Sequence, residues 1–263
     1  MTIRHFPIGA PVEAARRRLG LLVPATDHVS EPAFHEMLAG HAIDVLVNRV
    51  ALANPITMAT LARMIDDVAR ATASLLPDGS IDAIAFSCTS GTVAVGPERV
   101  AAAIHAGRPG VPFTTPITAA VKALRGPALK STATRRIAVL TPYLDEVNEP
   151  IRAYLEANGI EVVAFGSFHL RTEPEIAAVP PQAILEAAQA LDAPGIEALF
   201  ISCTGMRGHA VLDALERATG KPALSSNQVQ LWDALSLIGY DKPVEGFGGL
   251  LRSLGQKRPQ AAA

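Results

Sequence analysis

Cys88 and Cys203 are the only thiols in the 263-residue chain, and each closes a nearly repeated phrase. Residues 81–89 read IDAIAFSCT and residues 196–204 read IEALFISCT. In both, an apolar, β-branched run of strand length stops at Ser-Cys-Thr. Each thiol is therefore expected at the carboxyl end of a buried strand, the edge where open parallel sheets bind ligands. Two thiols in equivalent places predict one site with a reactive sulfur on each side. A helix starting after each cysteine would present free N–H groups to the sulfur, which predicts a thiol pKa lowered from about 8.5 to roughly 3.5–7.5.

The loops around the cysteines suit a small anion. Cys88-Thr89-Ser90-Gly91-Thr92 and Cys203-Thr204-Gly205-Met206-Arg207-Gly208 are rich in hydroxyls, with glycines that let backbone amides face a ligand. Thr89, Ser90, Thr92 and Thr204 are candidate carboxylate ligands, and Arg207 could add a charge-assisted bond. Pro24-Ala25-Thr26-Asp27-His28 and Thr141-Pro142-Tyr143 are expected to face the same cleft, with Thr26, Asp27 and Tyr143 bonding to substrate. Plainer readings stand beside these. A buried cysteine is commonly a small hydrophobe, and its duplication could be inert. A reversible Cys88–Cys203 disulfide is a third reading. Asp27 could cap a helix, although Ser30 is better placed for that, and His28 reads as solvent-facing.

The elements that must hold these residues alternate along the chain. Candidate strands are 20–23, 43–50, 81–86 and 111–113, then 137–140, 160–165, 196–201 and 222–224. Helical patterns fill the gaps. Ser30 opens one, with Phe34, Met37 and Leu38 inward and Gly40 as its stop. Asn54-Pro55 opens a longer one carrying Leu61, Ile65, Val68 and Leu75, ended by Pro77. Asp145 caps one carrying Val147, Ile151 and Leu155 and ending at Gly159. Strand–helix alternation with short connections means parallel α/β units. The two sets of strands match at a near-constant offset. The chain is thus expected to be a duplication: two similar flavodoxin-like lobes, each a four-stranded parallel sheet flanked by helices, related by a pseudo-twofold axis with the site between them. The expected division is residues 1–126, then 135–226 after a linker at 126–134, with 227–263 packing back on the first lobe.

Composition narrows the function. The formal net charge of −2 is a poor match to nucleic acid. The short clusters Arg16-Arg17-Arg18 and Arg135-Arg136 read as solvated strand entries. No apolar stretch approaches a membrane span and the N-terminus does not read as a signal peptide, so a cytoplasmic location is expected. Neither cysteine belongs to a zinc-type spacing, and His5, His35, His41, His105, His169 and His209 form no ligand pattern, so no metal is expected. No phosphate- or dinucleotide-binding glycine motif follows a strand, and Gly246-Phe247-Gly248-Gly249 reads as the opening of a terminal helix. No cofactor is expected.

Taken together, Leu22-Val23-Pro24-Ala25-Thr26-Asp27, Ser87-Cys88-Thr89-Ser90-Gly91, Leu140-Thr141-Pro142-Tyr143, Ile201-Ser202-Cys203-Thr204 and Ser225-Ser226-Asn227-Gln228 resemble the aspartate/glutamate racemase superfamily. The nearest resemblance is to its branch of maleate cis–trans isomerases, arylmalonate decarboxylases and ectoine-utilization proteins, and it runs from about Arg18 to Arg252. It implies a cofactor-independent enzyme with Cys88 as the nucleophile, Cys203 as its proton-transfer partner and Tyr143 on a substrate carboxylate. Maleate isomerases carry asparagine where this chain has Asp27, and an aspartate there is more like the ectoine-utilization proteins. Arylmalonate decarboxylases lack the first cysteine. The expectation is an isomerase, of the cis–trans or racemase type, acting on a small carboxylate and assembled as a homo-oligomer. The alternatives are a decarboxylase using Cys203 alone and a non-catalytic small-carboxylate binding protein.

Overall fold

A computed structural model describes residues 3–9, 16–129 and 136–255. Residues 130–134 of the expected linker and 256–263 of the tail lie outside the described residues.

The first half runs β1 (Arg17–Pro24), α1 (Ser30–Met37), β2 (Ile43–Val50), α2 (Met58–Ala62), α3 (Ile65–Ala73), β3 (Ala83–Phe86), α4 (Thr89–Val95), α5 (Pro97–Gly107), β4 (Phe113–Thr114) and α6 (Pro116–Arg125). The second runs β5 (Arg136–Thr141), α7 (Asp145–Ala157), β6 (Glu161–Ser167), α8 (Glu173–Ala177), α9 (Pro181–Ala190), β7 (Ala198–Ile201), α10 (Leu212–Thr219), β8 (Ala223–Ser225), α11 (Ser226–Leu237) and α12 (Gly249–Arg252). Two all-parallel four-stranded sheets result, ordered β2-β1-β3-β4 and β6-β5-β7-β8. The identical order is the structural form of the sequence repeat. In each sheet the order reverses between the first and third strands, so their carboxyl ends flank a crevice. Every residue of β3 and of β7 is buried, as expected of strands covered on both faces. That is why both cysteine phrases read as unbroken apolar runs.

Three helix expectations need correction. The pattern from Asn54 to Pro77 is two helices. Thr57 starts the first by a reciprocal cap with Thr60 (Thr60 N to Thr57 Oγ1 3.1 Å, Thr57 N to Thr60 Oγ1 2.9 Å). At Arg63 and Met64 the backbone bonds shorten to i→i+3 and break the run, leaving Ile65 half-buried while Leu61, Val68 and Leu75 enter the core. Asp145 is the first helical residue of α7 rather than its cap, and its side chain is exposed. Ser30 does not cap α1 but is its first residue, and its N–H and that of Val29 are taken by the Asp27 carboxylate.

Helix α11 is buried from Ser226 to Leu235 although it carries Asn227, Gln228, Gln230 and Asp233. Asn227 Nδ2 donates to the Thr204 carbonyl and Gln228 Nε2 to the Phe247 carbonyl, while Gln230 and Asp233 bond into the first half. Asp233 accepts from Thr114 Oγ1 at 2.7 Å and from Lys122, and Gln230 Nε2 donates to the Thr114 carbonyl. The helix packs on α6, β3, β4 and α1 as well as on β8. Buried polar groups are tolerated where they are paired. A helix wedged between two sheets has no solvent face to make amphipathic.

Candidate active site

Each cysteine sits where the repeat places it. Cys88 follows β3 in extended backbone and is the residue before α4, and its Sγ accepts the Gly91 N–H at 3.2 Å. Cys203 follows β7. Both are buried, at 5% and 3% exposure, yet both line one small cavity, with room for about a single water, together with Pro24, Leu52, Ile56, Leu61, Ser90, Tyr143, Glu173, Thr204 and Gly205. The Tyr143 hydroxyl lies close enough to Cys203 and Ser90 to act on the Cys203 thiol, joining the two sides of the pocket. The glycines here are functional spacers. A Cβ at Gly91 would lie 2.7 Å from Cys88 Sγ, and one at Gly205 would lie 2.0 Å from Glu173 Oε1.

The other expected ligands divide. Ser90, Tyr143 and Thr204 line the cavity. Thr89 does not: its hydroxyl donates to Ser226 Oγ at 2.8 Å, on α11. Thr204 Oγ1 donates to the Ser87 carbonyl at 3.2 Å. The motif threonines thus tie the two halves together at the crevice. Thr92 bonds its own helix, donating to the Cys88 carbonyl. Thr26 lies outside the cavity lining, its Oγ1 buried without a partner. Arg207 is turned away, its guanidinium donating to the Ala177 carbonyl, so it supplies no cation to the pocket. Asp27 is buried and accepts from the N–H groups of Val29 (2.7 Å) and Ser30 (2.9 Å) and from the Ser30 hydroxyl. Its carboxylate is consumed by the start of α1, which is the cap reading. His28 is exposed.

The expectation of acidic thiols is overturned. Burial pushes the Cys88 thiol up to about 12, and the negative charges of Glu173 and Asp27 add to the shift. Burial also holds Cys203 well above its ordinary value, with the same two acids contributing. The Gly91 N–H and the Tyr143 hydroxyl pull the other way but do not offset the loss of water. The resting pocket therefore stores both sulfurs as neutral thiols.

Sequence reasoning missed Glu173. It opens α8 within Thr172-Glu173-Pro174-Glu175, where Thr172 and Glu175 form a capping box, and an acid in a first helical turn reads as ordinary dipole compensation. What brings it inward is an interlock between two loops. The Ile56 N–H donates to the Arg171 carbonyl at 2.9 Å, and the Glu173 N–H donates to Asn54 Oδ1 at 3.0 Å. Burial, then the charge of Asp27, pushes the Glu173 carboxyl up to about 8. An unfolded chain would lose that proton near the ordinary value of about 4.3. Between these values the folded state binds more protons, so stability falls as pH rises through the window. Glu173→Gln is expected to melt above the wild type at pH 9, by roughly 2–4 kcal/mol, with the gap closing toward pH 5. Calorimetry across pH checks this; a gap independent of pH would mean that Glu173 titrates normally.

The comparisons with known proteins agree with this geometry. The family model for arylmalonate decarboxylase matches residues 19–251. The chain belongs to that family. A maleate isomerase of Nocardia farcinica is 30% identical over 125 residues, 47% of this chain and 50% of that protein. The arylmalonate decarboxylase of Bordetella bronchiseptica is 30% identical over 144 residues, 54% of this chain and 58% of that protein. The chain thus spans about half the length of these curated relatives. A solved structure of the Nocardia farcinica maleate cis–trans isomerase, a mutant with a covalently bound succinylcysteine intermediate, superposes with a TM-score of 0.79. It is 25% identical, over 90% of this chain and 98% of that one. Among the described residues no helix is long and apolar enough to cross a membrane, and no group of three or more His, Cys, Asp or Glu could hold a metal.

Proposed function

We propose that the protein is a cofactor-independent isomerase of a small carboxylate, with Cys88 and Cys203 acting from the two sides of the pocket. The observation that carries this reading is the shared cavity: both thiols and Tyr143 line it. The succinylcysteine in a relative of the same fold supports a covalent route. In a cis–trans reaction the Cys88 thiolate adds to an alkene, the former double bond rotates, and the thiolate leaves. In a racemisation one thiolate removes an α-proton and the opposite thiol delivers its own to the other face, so the two sulfurs exchange protonation states. Both routes pass through an enediolate-like state, whose added charge Ser90, Tyr143 and Thr204 can stabilise by hydrogen bonds.

Because the resting thiols are neutral, the chemical step begins with a costly deprotonation. The thiolate so formed is correspondingly basic, which suits removal of a weakly acidic carbon-bound proton. An NMR screen in heavy water against maleate and small α-amino acids tests the reading. Fumarate appearing, or deuterium entering an α-position, is expected; release of carbon dioxide from a malonate would instead favour decarboxylation. That second reading draws on the family match and on the Bordetella relative. It predicts that Cys88→Gly is tolerated.

A further inference from the structure

Glu173 is the one pocket group that the two-thiol chemistry leaves without a task. It is 5% exposed and lines the cavity. Its carboxyl rests against the backbone of Gly205, two residues beyond Cys203, at a point where a Cβ would meet its Oε1. Among the described residues that carboxyl has no hydrogen-bond or ion-pair partner; only the backbone N–H of Glu173 is bonded, to Asn54. No lysine, arginine or histidine lines the cavity, and Arg207 is committed to Ala177. The buried Asp27 carboxyl, outside the cavity lining, is close enough to act on Glu173 and on both thiols.

A buried carboxyl without a partner is costly unless it is neutral or a ligand supplies the missing cation. A dicarboxylate would bring two negative charges into a pocket lined by the Glu173 carboxyl, with the Asp27 carboxyl close by and no base among the lining residues. Like charges at this range are strongly unfavourable in a dry site. A molecule with one carboxylate and one protonated nitrogen meets both demands. Its ammonium pairs with Glu173, and its carboxylate accepts from the hydroxyls of Ser90, Tyr143 and Thr204.

We propose that Glu173 is the specificity-determining residue of the pocket and receives a cationic nitrogen, so that the substrate is a small zwitterionic amino acid rather than a dicarboxylic acid. This rests on the reading of the thiol-lined cavity as the substrate site and narrows its substrate class. An amino acid held by both ends presents its α-carbon between the sulfurs, which favours the racemase form of the two-thiol reaction.

The test compares β-alanine with succinate, two probes of similar length in which an ammonium replaces one carboxylate, by titration calorimetry at pH 7 and pH 9. The wild type is expected to bind β-alanine tighter than succinate by about tenfold or more at pH 9. Glu173→Gln, which keeps the shape and removes the charge, is expected to cancel or reverse that ratio. Glu173→Asp should retain the sign of the preference. Succinate binding as well as or better than β-alanine in the wild type would overturn the proposal, because a protonated Glu173 would then be donating to a carboxylate. A ratio unaffected by Glu173→Gln, or no measurable binding of β-alanine, would also overturn it. Binding needs no thiol chemistry, so repeating the titration in the Cys88→Ser, Cys203→Ser double variant separates the two readings. Retained turnover in the single cysteine variants would sink the mechanism and leave this preference standing.

Discussion

Replacing Cys88 by serine is expected to lower turnover by about 10⁴-fold or more, the scale at which loss of a nucleophile is felt. Cys203→Ser is expected to cost about 10²–10⁴-fold, the range for loss of a positioned proton-transfer group. A serine hydroxyl fits either site, since Cys88 accepts the Gly91 N–H and Cys203 lies beside the Tyr143 hydroxyl and the Gly205 N–H. Neither change opens a cavity, so melting temperatures are expected to stay close to the wild type. The readout is α-deuteration or alkene isomerisation on the substrate found in the heavy-water screen. The two thiols act as a unit, so the double variant should lose little more than the worse single one. Unimpaired turnover in both single variants would end the two-thiol mechanism. Loss confined to Cys203 would point to the one-thiol decarboxylase route instead.

Gly107→Ala is expected to cost about 3 kcal/mol, near the upper end of the overpacking range. Gly107 is the last residue of α5, where a glycine reads as an ordinary helix stop. Its tertiary surroundings say otherwise. A Cβ there would lie 2.3 Å from the Ala69 carbonyl oxygen, 2.7 Å from Thr72 Cβ and 3.0 Å from the Ala73 N. Two of these are backbone atoms of α3, which cannot swing aside as a side chain does. The two helices cross at this glycine, so an added methyl must push them apart. For a domain of this size the cost corresponds to a fall in melting temperature of roughly 6–12 °C. Thermal unfolding of the variant measures it, and a melting temperature within a degree of the wild type would show that the crossing can relax. The pocket is lined by Cys88, Tyr143 and Cys203 rather than by this crossing, so activity below the new transition is expected to persist.

The repeat of Ser-Cys-Thr at two strand ends was enough to locate both thiols at one crevice. Strand type follows from local composition, and a duplicated topology forces equivalent strand ends to face the same way. All eight strands lie within reach of that argument; their order in each sheet is set by the tertiary structure. Tyr143 was legible for the same reason, since it follows β5 at the edge where β1 ends in Pro24, and both line the pocket.

Other features depend on where separate segments meet. By sequence Ser30 reads as the better-placed cap, and only the turn geometry delivers two N–H groups to Asp27 instead. Arg207 is near Cys203 in sequence, yet its guanidinium finds the Ala177 carbonyl first. Thr89 bonds a serine that lies 137 residues along the chain. The thiol pKa is the sharpest case. A helix start after a cysteine is a local feature and argues for an acidic sulfur. Desolvation is a property of everything packed around it, and here it prevails. Glu173 is the same lesson with opposite consequences: by sequence a surface acid at a helix start, by tertiary position a carboxyl inside the pocket with no partner among the described residues. Composition and periodicity report what one segment prefers. Burial, charge neighbours and close approach are set by the other segments, and no single stretch of sequence contains them.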